Sequence, residues 1–412
     1  MMHTDSIAPY SKRNAAIDLL RALTMFTMIF VNDFWKIHDV PHWLEHARWD
    51  EDFMGLADVV FPCFLFAVGM SIPYAIERRY AKGLSGESTI KHILSRSFAL
   101  IVMGAFISNS EARLSAEVPY SIGIYWIVMV VGFICIWNQY PRTDSLRTRR
   151  IYIALKVIGT VLLLYLALTF RSEDGGNLFG AHWSILGAIG WIYLLCAMIY
   201  VYTRDRLKYL VPWWILFAVI CVLSSRLRPE LGGEALLALS EPNFYNSALS
   251  TLHIDNGCLP AFTMGGIIFS IIGARRAQPV TPRFTLYAAL AMVLFLLAGL
   301  LAHRYWIVSK IVATPPWLCY VTAIAIALYT LFAWVERAGK TAWFNPIKPA
   351  GTATLTTYLI PYLAYALADI TGYVLPDWFT HGIMGIVNCL AFAFVIIGVT
   401  WLLGKMHVKL KV

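Results

Sequence analysis

Residues 46–75 read HARWDEDFMGLADVVFPCFLFAVGMSIPYA, a histidine on a polar loop that runs straight into a long apolar stretch. An ionisable side chain at the lip of a hydrophobic segment is costly to keep, and it marks a candidate site. His46 stands 12 residues before Asp58, which opens the apolar stretch. One member of such a pair can accept a proton while the other orients it or balances its charge. His46 and Asp58 are therefore the candidate catalytic pair. A second acid/base pair, His253 and Asp255, occurs in TLHIDNGCLPAFTMGGIIFS just before another apolar run. Asn32 closes the first apolar run, where its amide can bond a carbonyl or hydroxyl or simply cap the helix end.

The cations open further choices. Asp18 and Arg21, in RNAAIDLLRALTMFTMIFVND, are three apart and share a helix face. They can pair with each other, or Arg21 can face a cavity and hold an anionic cofactor. Arg96, in HILSRSFALIVMG, can snorkel to lipid headgroups or bind phosphate. Lys310, Thr314, Pro315 and Pro316, in YWIVSKIVATPPWLCY, form a loop in which the two prolines break the helix. His38, His42 and His46 fall four apart, a spacing that could bind zinc on a helix, but Pro41 interrupts the run. Trp35, Trp43 and Trp49 beside them suit an interfacial loop with aromatic anchors, and no metal is expected. The seven cysteines are scattered without metal spacing and suit packing better than a disulfide framework.

These residues must be positioned by membrane helices. The chain is 59% hydrophobic and 14% charged, with mean hydropathy +0.65, outside the range of soluble globular proteins. The expected fold is an all-α polytopic bundle of about 12 spans, near 16–35, 58–76, 93–109, 120–138, 151–170, 183–203, 209–225, 257–274, 284–302, 316–335, 352–370 and 382–404. On that scheme 22 of the 33 Lys and Arg fall on one side and eight on the other. The positive-inside bias puts both termini in the cytoplasm and His46 on the outer side. Topology thus explains the +9 net charge, and no nucleic-acid partner is expected. No signal peptide is expected, since the first 15 residues are polar and the apolar run after them carries Asp18 and Arg21. A single membrane domain spanning 1–412 is expected, with long outer loops near 36–57 and 226–256.

The first 75 residues carry a resemblance. RNAAIDLLRALTMFTMIFVND, followed by HARW and GLADVVFPCFLFAVGMSIPYA, resembles the start of the transmembrane acyltransferase family that includes heparan-α-glucosaminide N-acetyltransferase. HIDNGCLPAFTMGGIIFS and SKIVATPPWLCY extend it, and HWSILGAIGWIYLL and NPIKPAGTATLTTYLIPY are similar to the bacterial DUF5009 branch. The chain departs from the family pattern in having Ala22 for a glycine, Asn256 for a proline, and no arginine at the start of the fourth span. The resemblance implies acetyl transfer from cytosolic acetyl-CoA to the amine of a terminal glucosamine, in an inner membrane. It puts the active-site histidine on His46, with Asn32 and Asp58 in support; Asp255, from the second acid/base pair, joins them as a catalytic candidate on its own chemistry. Arg21, Arg96 and Asp18 become the cofactor-side residues, and His253, Lys310 and Trp49 the acceptor-side ones. Family members can dimerise. Two rival readings are an N-acetylglucosamine permease and an acyltransferase acting on another envelope glycan.

Overall fold

The computed structural model describes residues 14–110, 114–178, 184–236, 254, 256–276 and 280–412. Among these the chain is helical, with isolated bridges and no regular strand. The helices are α1 (Ala15–Asn32), α2 (Leu56–Ala81), α3 (Gly86–Ser110), α4 (Ile122–Trp137), α5 (Leu146–Thr169), α6 (Ile185–Thr203) and α7 (Leu207–Ser224). They continue as α8 (Cys258–Arg276), α9 (Pro282–Ala302), α10 (Pro315–Arg337), α11 (Lys348–Thr352), α12 (Thr354–Thr371) and α13 (Gly382–Lys405). Each expected span coincides with a helix. Among the described residues nine are long and apolar enough to cross a membrane. Of the others, α4 and the apolar part of α8 are shorter, and α12 is broken from α11 at Ala353 and interspersed with threonine and tyrosine. The protein is an integral membrane protein with an all-α, polytopic helical fold.

Local chemistry sets the helix ends. Ser121, Ser145 and Thr281 cap α4, α5 and α9 by accepting from Ile124 N, Thr148 N and Phe284 N. Pro315 and Pro316 correct one expectation, because they open α10 instead of breaking a helix. A proline in the first turn gives up an N–H that would have no intrahelical partner there.

The chain forms two compact units. The first comprises residues 1–32, 40–94 and 191–345, and the second 33–39, 95–190 and 346–412. In the first, α2 is the central element: 83% of its apolar window is buried, against 17% for α7 and α9. Accordingly α2 is apolar on every face over most of its length. It lies closely on α8, where a Cβ at Gly69 would strike the Thr263 backbone and one at Gly266 the Phe66 backbone. Small residues of this kind let membrane helices approach where lipid removes the hydrophobic drive for association. In the second unit α4 packs on α5 and α12, and α12 on α13. There Asp33, almost fully buried, pairs with Lys36 at 2.8 Å and accepts from the Tyr365 hydroxyl at 2.9 Å.

Candidate active site

The start of α2 builds the site. Gly55 is the N-cap, and Asp58, three residues on, accepts the Gly55 N–H at 3.1 Å through Oδ2. The same oxygen accepts Ala47 N–H at 2.9 Å. Gly55 has no room for a side chain, because a Cβ there would meet the Glu45 carbonyl. The remaining carboxylate oxygen, Oδ1, lies 2.7 Å from His46 Nδ1. Asp58 is fully buried while the His46 side chain is 45% exposed. Facing a carboxylate, Nδ1 carries the ring proton in the neutral imidazole, leaving the Nε2 lone pair free. Trp317, buried in α10, donates its indole N–H to the Asp58 carbonyl at 3.1 Å and meets Phe262 edge-on.

Lys310 completes the group from the far end of the first unit's sequence. Its Nζ lies 3.2 Å from His46 Nδ1 and 3.5 Å from Nε2, nearly equidistant from both nitrogens. With the Nδ1 proton directed to Asp58, the Lys310 amine rests against the ring. Burial pushes the Lys310 amine below the ordinary lysine value, opposed by the Asp58 charge. The loop bearing it is tightly tied. Ala313 adopts φ +49°, and its carbonyl accepts from Asn256 Nδ2 at 2.5 Å and from Cys221 Sγ at 3.4 Å. Ser309 N–H donates to Thr314 Oγ1 at 3.0 Å.

The other candidates are placed differently. Asn32 is exposed, and no hydrogen bond joins it to the dyad among the described residues. Trp49 is 63% exposed, three residues beyond His46 on its loop. Asp18 and Arg21 are half-buried on α1 in the first unit, and Arg96 is half-buried on α3 in the second. His253 and Asp255 lie outside the described residues. The three spaced histidines part company: the His38 ring lies tilted against that of His381, His42 bonds Glu51 at 2.6 Å, and His46 bonds Asp58.

Sequence reasoning missed Asp52, Arg228, His303 and Trp317. Asp52 reads as one more acid in a polar loop, yet it accepts from Val308 N at 2.8 Å, His303 Nε2 at 2.8 Å and Arg228 Nη2. Glu77, buried near the end of α2, was missed too; it pairs with Arg204 at 2.5 Å and accepts from Tyr200 at 3.1 Å. Only the need of a buried carboxylate for a partner could have flagged it.

Residues 13–168 match the family model described as heparan-alpha-glucosaminide N-acetyltransferase, catalytic. The mouse (Mus musculus) heparan-alpha-glucosaminide N-acetyltransferase is 28% identical over 158 residues, covering 34% of this chain and 23% of its own. The human (Homo sapiens) protein of that name is 32% identical over 101 residues, covering 24% of this chain and 14% of its own. The chain thus spans less than a quarter of the length of these curated relatives. The matched segment carries α1, α2, His46 and Asp58, and over it the chain is similar to the heparan-alpha-glucosaminide N-acetyltransferase family.

Proposed function

We propose that the protein is a membrane acetyltransferase that moves an acetyl group from acetyl-CoA to the amine of a glucosamine-type sugar. The observation that carries this reading is the His46–Asp58 dyad, a buried carboxylate holding an exposed imidazole through Nδ1 and leaving Nε2 off the carboxylate. In one route Nε2 takes a proton from the sugar ammonium. The freed amine attacks the thioester carbonyl, the C–N bond forms, and the C–S bond breaks. The CoA thiolate leaves and recovers a proton from the imidazolium, and the surplus proton on the new amide nitrogen passes to the Nε2 so freed and on to water. In the other route Nε2 attacks the thioester carbonyl, the C–S bond breaks and the CoA thiolate leaves; the acetyl-imidazolium then gives its acetyl group to the free amine, the N–C bond to the ring breaks, and the restored Nε2 takes the surplus amine proton. Asp58 stays ionised in both, fixing the tautomer and offsetting charge on the imidazolium. The Lys310 ammonium, when charged, faces the position where oxyanion or thiolate charge develops.

The relatives' names specify a heparan α-glucosaminide; the acceptor proposed for this chain is the terminal glucosamine amine of such a glycan. Asp18 and Arg21, in the first unit, are proposed as contacts for the anionic half of acetyl-CoA, and Trp49 and His253 for the sugar; Arg96, in the second unit, is a separate candidate for the same anionic chemistry. Asn32 and Asp255 are proposed in support of the dyad. The charge bias supports a donor arriving from the cytoplasm, an acceptor outside and an inner-membrane location.

The test supplies radiolabelled acetyl-CoA and glucosamine to purified protein and to His46→Ala. Labelled N-acetylglucosamine from the wild type, with a ~10³-fold or larger loss in the variant, is expected. Omitting the sugar separates the routes, since only the acetyl carrier leaves label on His46. No product, together with N-acetylglucosamine uptake by reconstituted vesicles, would replace the enzyme by a permease.

A further inference from the structure

We infer that Asp52 is a positioning residue that ties the loop of His46 to the loop of Lys310 and so sets the distance between those two side chains. Asp52 lies six residues after His46, and Val308 two residues before Lys310. Between them the backbone is held at two points. Val308 N–H donates to Asp52 Oδ1 at 2.8 Å, and Phe53 N–H donates to the Val308 carbonyl at 3.1 Å. The Asp52 carboxylate also takes the His303 Nε2–H, at 2.8 and 3.0 Å to its two oxygens, and an N–H of Arg228. Arg228 also grips the same loop, its side-chain Nε–H donating to the His303 carbonyl at 3.0 Å and its backbone N–H to the Tyr305 carbonyl at 2.9 Å. The His303 ring stands edge-on to Tyr320 of α10. Two loops that meet at His46 and Lys310 are thus stitched together through one carboxylate.

The charge state fits the task. Partial burial raises the Asp52 carboxyl, but the Val308 N–H, His303 and Arg228 outweigh it and hold the group below its ordinary value. Asp52 is therefore a carboxylate across the neutral range, able to keep all its donors engaged. A bulk stabilising contact would serve the fold alone. What marks Asp52 as positioning is that every strong partner it has belongs to, or grips, the segment that delivers Lys310.

Two readouts test this, and only the kinetic one rests on the acetyltransferase reading. Lys310 is labelled with acetic anhydride as a function of pH and located by peptide mass spectrometry. In the wild type its midpoint is expected below the ordinary value of 10.5. In Asp52→Asn and Asp52→Ala the midpoint is expected to rise as the loops part and water reaches the amine. In parallel kcat is expected to fall ~100-fold with KM little changed, the scale of a small misplacement of a reacting group. Asp52→Glu should recover most of both, while Asp50→Asn on the same exposed loop should alter neither. If Asp52→Ala does not fold, Asp52→Asn and His303→Gln carry the same comparison. An unchanged labelling midpoint in folded Asp52→Asn and His303→Gln would overturn the inference. If the wild type transfers no acetyl group, the labelling arm still decides, so the two readings fail separately.

Discussion

At the residue scale, Asp58 shows how one side chain can serve fold and chemistry together. Its carboxylate closes the first turn of α2 through Gly55 N–H, holds Ala47 N–H and orients His46. The N-terminal end of a helix favours such a negative charge. Two substitutions separate the roles. Asp58→Asn keeps an oxygen for the backbone donors but offers its amide N–H to Nδ1, which puts the ring proton on Nε2 and blocks the base. A ~10³- to 10⁴-fold fall in kcat with a nearly unchanged melting temperature is expected. Asp58→Ala instead leaves the two backbone N–H groups without acceptors at about 1–3 kcal/mol each, so melting temperature and activity should fall together. Lys310→Met removes the cation from the imidazole but leaves an apolar stem to fill the space. A ~100-fold lower kcat is expected, measured beside unchanged circular dichroism.

At the element scale, α2 and α8 are held by backbone proximity at Gly69 and Gly266. A larger side chain cannot be absorbed by a rotamer change, because what it meets is backbone. Gly69→Leu should therefore destabilise by about 1–3 kcal/mol or more, read as a lower melting temperature in detergent. The loops obey a different rule, since polar contacts hold them. Asp52 has its carboxyl lowered in the folded protein, so its contribution to stability is complete above its unfolded value of about 3.9 and is lost as pH falls through the folded value. Susceptibility of the 45–55 loop to an acid protease should rise below about pH 4 in the wild type. In Asp52→Asn it should be high already at pH 5, with little further change. The spans and the His46–Asp58 loop were legible in the sequence because they depend on local hydropathy and a short chain separation. The role of Pro315 and Pro316 was misread, because a proline pair looks the same in sequence whether it breaks a helix or opens one.

For the whole molecule, the exposed apolar flanks of α7 and α9 are the surfaces that need lipid, and alkaline extraction should leave the protein in the membrane. Topology has its own test. Asp50→Cys should react with an impermeant thiol reagent from outside intact cells, and Asp144→Cys only after permeabilisation. The reverse pattern would invert the orientation and put His46 on the cytoplasmic side. The amino-acid sequence by itself determined the class of this protein, a helical membrane bundle with a histidine and an aspartate at one helix mouth. Composition, span length and a separation of 12 residues are properties of the chain before it packs. Only the tertiary structure decided that Lys310, 264 residues away, lies against that histidine, and that Asp52 gathers Arg228 and His303. Those meetings depend on which helix ends come together within the first compact unit. Close approaches such as that of α2 to α8 set this arrangement, and no local pattern of residues records it.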